Sequence, residues 1–292
     1  MREFVITTES NNDMPKEYLE ANGIGVIPHY YTVEEDTYGG EWPELTIEEF
    51  YAAMRAGKKV GTMASNPAVI ADMFDAYANE GKDILHISFS AALSGGFNNV
   101  SVGARDICEE NPGMKAIVVD TRSASIGEGV LIMKAVEMRD AGKSIEETAA
   151  AVQELADHLF VQFTVEKLEY LQRGGRLSKG SAVLGTLANV KPVLYIDPEG
   201  RLVPLTKVRG RKKSFATMVD NVAEKMGSYK DKQIKIGIMH GDCEEDANYL
   251  KTLLQERFGY ADDMFLIVPI GPSIGAHSGP GTIGLVFLCE TR

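Results

Sequence analysis

The sequence predicts an α/β protein of two domains, the first on a mostly parallel sheet, and three observations carry that prediction. Over residues 1–163, β-rich runs alternate with helical segments of about ten or more residues, the pattern of parallel strands joined by helical crossovers. At Val190–Ile196, a Pro198-Glu199-Gly200 turn and an alternating run from Leu202 to Val208 spell a hairpin, which is no step of a parallel winding. After the hairpin the strand–helix alternation resumes, so residues 164–292 form a second α/β domain.

Taken in order, Glu3 to Thr8 is a first strand, and polar Glu9 to Asp13 follows it at the carboxyl edge of the sheet, where α/β proteins place ligands. Ile24 to Tyr31 reads as a second strand. The segment from Glu34 to Glu49, with seven acids and no base, reads as a solvated excursion. Thr46 and Glu49 make a capping box for a helix through Met54, and Asn66-Pro67 opens a helix from Ala68 to Asn79. Asp83 to Ser88 is a buried strand, followed by the turn Ser94-Gly95-Gly96 and a helix to about Glu110. Lys115 to Asp120 is another strand. Helices at about Gly127 to Ala141 and Ser144 to His158 close the domain, the latter with a Ser144/Glu147 capping box.

In the second domain, Glu166 to Gln172 is a short amphipathic helix that Gly174-Gly175 stops. Beyond the hairpin come a helix from Lys213 to Met226, a strand from Lys235 to Met239, a helix from Glu244 to Phe258 and a strand from Met264 to Pro269. The motif Ala276-His277-Ser278-Gly279-Pro280-Gly281 then reads as a loop before a last strand, Thr282 to Leu288.

Composition narrows the function. At 292 residues with 44% hydrophobic and 25% charged residues, the chain is that of an ordinary globular protein. A net charge of −12 argues against general nucleic-acid binding. No run approaches the roughly 18 apolar residues of a membrane-spanning helix. The start, Met-Arg-Glu-Phe-Val-Ile, enters a strand directly, so no secretory leader is expected. Three scattered cysteines, Cys108, Cys243 and Cys289, fit neither a disulfide framework nor a zinc site, and a reduced, cytoplasmic protein is expected. Within this acidic chain, Thr164 to Lys213 holds eleven Lys or Arg against four acids. Such an island suits an anionic ligand or an acidic partner, or simply a solvated face.

Two constellations could carry chemistry. Ser94-Gly95-Gly96, between a strand and a helix N-terminus, offers bare amides and a favourable dipole to an anion; a plain strand–helix connection is the simpler reading. His277, among glycines and a proline, suits a carboxylate or phosphate as well as it suits loop carbonyls. His29, His86, His158 and His240 sit on or beside apolar runs and read as structural, with no metal-ligand spacing. Neither a metal nor a cofactor is expected, and the phosphate-loop and nucleophile-elbow motifs are absent.

The motifs taken together are Glu9-Ser10-Asn11, Ala64-Ser65-Asn66-Pro67, Leu93-Ser94-Gly95, Val119-Asp120-Thr121, Leu168 to Arg176, Lys191 to Leu194 with Lys207 to Lys212, and His277 to Gly281. In this order, over nearly the whole chain, they resemble the DegV family of bacterial lipid-binding proteins. The resemblance implies two α/β domains and one long-chain fatty acid held in a cleft between and within them. It implies carboxylate contacts from Thr62, Ser65, Ser94, Gly95, His277 and Ser278. It also implies a non-catalytic carrier that presents the carboxylate to a separate, dihydroxyacetone-kinase-like fatty acid kinase subunit, which forms the acyl phosphate. Arg173, Arg176, Lys207, Arg209 and Arg211 would then face that kinase. Two positions depart from the family pattern: Glu9 stands for Asp, and Ala64 for a Thr. The competing functions are a serine esterase or thioesterase, with Ser94 as nucleophile, His277 as base and Asp120 orienting it, and a lipid-binding regulator with no kinase.

Overall fold

A computed structural model of the chain describes residues 2–42, 44–177 and 189–292. Residues 178–188, with Lys179 of the basic stretch, lie outside the described residues. The first unit runs β1 (Phe4–Glu9), α1 (Lys16–Ala21), β2 (Gly25–Ile27), β3 (Tyr30–Val33), β4 (Asp36–Tyr38), α2 (Ile47–Arg55), β5 (Val60–Met63), α3 (Pro67–Asn79), β6 (Asp83–Ser88), α4 (Gly96–Glu110), β7 (Ala116–Asp120), α5 (Ile126–Asp140) and α6 (Ile145–Asp157). The second runs β8 (Leu159–Thr164), α7 (Glu169–Arg173), β9 (Val190–Ile196), β10 (Leu202–Arg209), α8 (Arg211–Lys225), β11 (Ile236–His240), α9 (Glu244–Phe258), β12 (Phe265–Pro269), α10 (Pro272–Ser278) and β13 (Ile283–Leu288).

The first sheet is fully parallel in the order β2-β1-β6-β7, as the alternation predicts. Its strand β6 is buried on both faces, which is why DILHIS reads as a near-continuous apolar run. The larger sheet has the order β10-β9-β8-β13-β11-β12, antiparallel except for the β11–β12 pair. Both capping boxes form as read, Thr46 with Glu49 and Ser144 with Glu147, and Asn66 caps α3 with Pro67 at its first position.

Four readings are corrected by the structure. The run from Ile24 to Tyr31 is not one strand, because Pro28 has no N–H to donate. It breaks there into β2, beside β1, and β3, which pairs with β4 and β5 in a third, antiparallel sheet. The acidic segment is not all excursion, since β4 lies inside it and Tyr38 stacks on Tyr31 at 5.4 Å. His277 is not in a loop: Pro272 starts a helix with its missing N–H at a position that needs none, and His277 lies in its last turn. Finally, the larger sheet starts ahead of residue 164, because β8 pairs with β9 and β13.

The main core joins the two units. Helix α5 is buried continuously from Ile126 to Ile132. One cluster includes its Ile126, Val130 and Leu131 with Ile6 and Leu85 of the parallel sheet and Val161, Met239 and Val286 of the other. Separate clusters pack α3 and α4 on the outer face of the first sheet, and α8 and α9 on that of the second. The small sheet and α2 pack against α10 through Tyr51, Phe50 and Ala276. Tyr51 donates from its hydroxyl to the carbonyl of Ile270, just before α10, at 2.9 Å. Tyr51→Phe leaves that carbonyl without its donor and should cost about 1–2 kcal/mol in urea denaturation, without change of fold by circular dichroism.

Candidate functional site

The carboxyl edge of the parallel sheet faces the inner face of the larger sheet across a cavity of about 940 Å³, its open mouth included. The apolar wall comes from both units. Phe89 and Leu93 follow β6, and Ala124 precedes α5. Val161 and Phe163 lie on β8, Ile196 and Leu202 on the hairpin, Met239 on β11, and Ile270 and Ile274 around the start of α10.

The polar wall gathers at Thr62, Ser94, Gly95, Arg176, His277 and Ser278. Thr62, at the end of β5, has its Oγ1 2.8 Å from Nε2 of His277. Burial, and then the charge of Arg176, push the His277 imidazole down to about 4, so it is neutral at physiological pH. Gly174 has no side chain because His277 occupies that space: a Cβ there would fall 2.2 Å from the imidazole Nδ1. Ser94 Oγ accepts from the Gly96 N–H at 3.1 Å, fixing the turn that starts α4. Three oxygens converge on Gly96, where a Cβ would make ordinary contacts 3.4 Å from Ser94 Oγ, 3.5 Å from Glu9 Oε1 and 3.7 Å from Ser65 Oγ. Ser65 and Ser278 are buried with hydroxyls that have no partner among the described residues.

Arg176 belongs to this wall. It donates from Nε to the carbonyl of Leu93 at 3.2 Å and from Nη1 to that of Gly174 at 2.6 Å, linking the Ser94 turn to the glycine against His277. Half-buried there, it serves the cavity wall, whereas the sequence reading places it among the residues that face the kinase. The rest of that set divides. Arg211 is held by Asp246 at 2.6 Å and covers the Phe215 ring, whereas Lys207 and Arg209 on β10 and Arg173 on α7 are exposed, Arg173 over Tyr170.

The serine-hydrolase arrangement is not assembled. Ser94 Oγ bonds the Gly96 N–H, His277 bonds Thr62, and Asp120 Oδ1 accepts from the N–H groups of Ala91 and Arg122. Beneath the site, buried Glu9 takes the N–H of Phe89 at 3.2 Å and the hydroxyl of Ser88 at 3.0 Å, with His86 3.2 Å away. Burial favours the neutral acid, but His86, His29 and the Phe89 N–H hold its carboxyl below the ordinary value. The Glu9 departure therefore fills a structural role under the Ser94 loop.

The sequence places Asn11 and Asp13 in the polar turn at this edge without a role for either, and reads His29 as structural. Asn11 and His29 line the cavity, and Asp13 ties the units together, accepting from Ser125 Oγ of the first and from the Gly271 N–H of the second. The signals in the sequence are a histidine directly after Pro28 and an acid closing the polar run from Glu9. Among the described residues there is no cluster of acids, histidines or cysteines able to hold a metal, and no helix long and apolar enough to cross a membrane.

A family model described as "Uncharacterised protein, DegV family" matches residues 3–290. The chain belongs to the DegV family. A DegV domain-containing protein of Clostridium perfringens is 36% identical over 296 residues, covering 100% of this chain and 99% of the relative. A solved DegV family protein from Thermus thermophilus, described by its fatty acid binding, superposes with a TM-score of 0.87 at 29% identity, over 99% of this chain and 100% of that one. A DegV family protein from Ruminococcus gnavus, solved with vaccenic acid, gives 0.85 at 26% identity, over 97% and 99%. Those two DegV proteins, each described with a fatty acid, have the two-domain α/β fold found here.

Two titrations test the DegV site as built. Arg176→Leu removes the charge that disfavours the imidazolium, so the His277 value should rise from about 4 when followed by NMR. Asp13 is half-buried in the seam between the units, and desolvation there raises its carboxyl from 3.8 to about 7 against its two hydrogen bonds. Between those values the folded chain keeps a proton that the unfolded chain releases, so this group's contribution falls as pH rises from 3.8 to about 7. The span is on the order of 4 kcal/mol. Asp13→Asn should flatten that slope in denaturation series run at successive pH.

Proposed function

We propose that this chain binds one long-chain fatty acid in the cavity and presents its carboxylate to a separate ATP-dependent kinase subunit, dihydroxyacetone-kinase-like, which forms the acyl phosphate. The observation that carries the reading is an apolar cavity with one polar pole, where a threonine–imidazole pair stands beside a half-buried arginine. A carboxylate there would pair with Arg176 and accept from the hydroxyls of Thr62, Ser94 and Ser278 and from the Gly95 amide, with Ser65 behind them. The tail supplies most of the affinity: about ten buried methylenes at ~0.8 kcal/mol each contribute roughly 8 kcal/mol. The two DegV structures described for fatty acids support the ligand class.

The kinase step rests on the family resemblance and on the exposed cations Arg173, Lys207 and Arg209. Arg211, engaged by Asp246, would contribute through the position of α8 instead. The chain itself then needs neither metal nor cofactor, and its place is the cytoplasm beside the kinase. On this reading residues 1–163 and 164–292 are the two domains, with the boundary drawn back so that β8 joins the second.

Native mass spectrometry of the purified protein should show a stoichiometric adduct with the mass of a long-chain fatty acid. Failure to bind added fatty acid would sink the reading. Ser94→Ala and His277→Ala should each weaken carboxylate fixation and lower phosphorylation by the kinase about tenfold or more. Wild-type phosphorylation of both variants would contradict the assignment. Lys207→Glu with Arg209→Glu should impair phosphorylation while fatty acid remains bound.

A further inference from the structure

The cavity has polar atoms that a simple carboxylate does not use. Asn11, at 3% exposure, and His29, at 7%, both line it. Asn11 Oδ1 and His29 Nε2 are buried without a hydrogen-bond partner among the described residues. Two such buried atoms are costly unless something completes them. Local bonds hold them in place. The His29 N–H donates to Ser10 Oγ at 2.9 Å, which brings it beside the turn carrying Asn11, and Asn12 closes that turn onto the Glu9 carbonyl at 2.6 Å.

The register sets where this pair lies relative to the carboxylate pole. Tyr31 pairs with Thr62 and Tyr30 with Met63, and the next residues beyond these two strands, His29 and Ala64, both line the cavity. The pair thus stands a short step along the wall from Thr62, at a place where Ala64 offers only a methyl group. Two residues of extended chain span about 6.6 Å, so a group reaching both subsites lies within a few carbons of the carboxylate.

We propose that Asn11 and His29 form a hydroxyl-binding subsite, so that the favoured ligand is a fatty acid with a hydroxyl on one of its first few carbons. This rests on the reading that the cavity takes a fatty acid. The chemistry selects a hydroxyl over other substituents. With its proton on Nε2, His29 donates to the hydroxyl oxygen, and the hydroxyl donates in turn to Asn11 Oδ1. A keto oxygen would satisfy His29 and leave Asn11 Oδ1 facing another lone pair. A second carboxylate is opposed by Glu9, whose charge acts on His29 and which is buried beneath the same wall. Burial keeps the imidazole neutral by pushing its value down, against the opposing influence of Glu9.

The test compares hexadecanoic acid with its 2-hydroxy and 3-hydroxy derivatives by displacement of a fluorescent fatty acid. Wild-type protein should bind at least one hydroxy acid about tenfold tighter than hexadecanoic acid. In His29→Leu the ratio of the two affinities should collapse to about one, and His29→Gln, which keeps a donor, should retain part of the preference. Equal or weaker wild-type binding of both hydroxy acids overturns the subsite while leaving the fatty-acid reading intact. A preference that survives in His29→Leu also overturns it. If none of the three acids binds, the fatty-acid reading falls and the subsite with it.

Discussion

Helix α5 serves both halves of the molecule, and the site exists because of how it is wedged between them. Its first two turns touch the parallel sheet on one side and the larger sheet on the other. Close approach requires glycine at two of its positions: a Cβ at Gly127 would fall 2.2 Å from Ser123 Oγ, and one at Gly129 2.6 Å from the Met14 sulfur. The helix begins at the carboxyl edge of the parallel sheet, so the loops after β1 and β6 face β8, β11 and the start of α10. Ligands of α/β sheets bind at that edge, and here a second sheet covers it. The cavity is what remains between the two once α5 has set their spacing.

The electrostatics of the cavity are economical. The protein carries a net charge of −12, yet among the described lining residues Arg176 is the one permanent cation. The imidazole beside it is neutral, so its bond to Thr62 contributes orientation rather than charge. The hairpin also ties the units together at this end. Ser90, in the loop that leads to Ser94, donates to the Gly200 carbonyl at 2.8 Å, and Arg122 donates to that of Pro198 at 3.3 Å. The basic hairpin strand and the Ser94 loop are therefore mechanically linked.

The parallel sheet, the hairpin and the helix caps were legible because each has a local cause: alternation of strand with helix, a Pro-Glu-Gly turn, a side chain three residues before its partner. Ser94 and His277 stood out because glycines surround them, although the helix around His277 was hidden by those same glycines. What the sequence could not show was pairing across distance. Thr62 meets His277 only because β5 adds to β3, and β3 is set apart from β2 by the break at Pro28. Arg176 reads as one more basic residue until Leu93 and Gly174 are seen to turn it inward. His29 reads as structural until its ring nitrogen is found without a partner.

The bond between Asp13 and Gly271 makes domain separation a chemical event as well as a mechanical one. Gly271 caps the helix that carries His277, and Asp13 belongs to the other unit. When the cleft parts far enough to wet that carboxyl, its affinity for a proton drops to that of an ordinary aspartate. Near neutrality the open form then holds fewer protons than the closed one. Opening of that kind releases protons that reclosing takes up again, and alkaline conditions favour the open form.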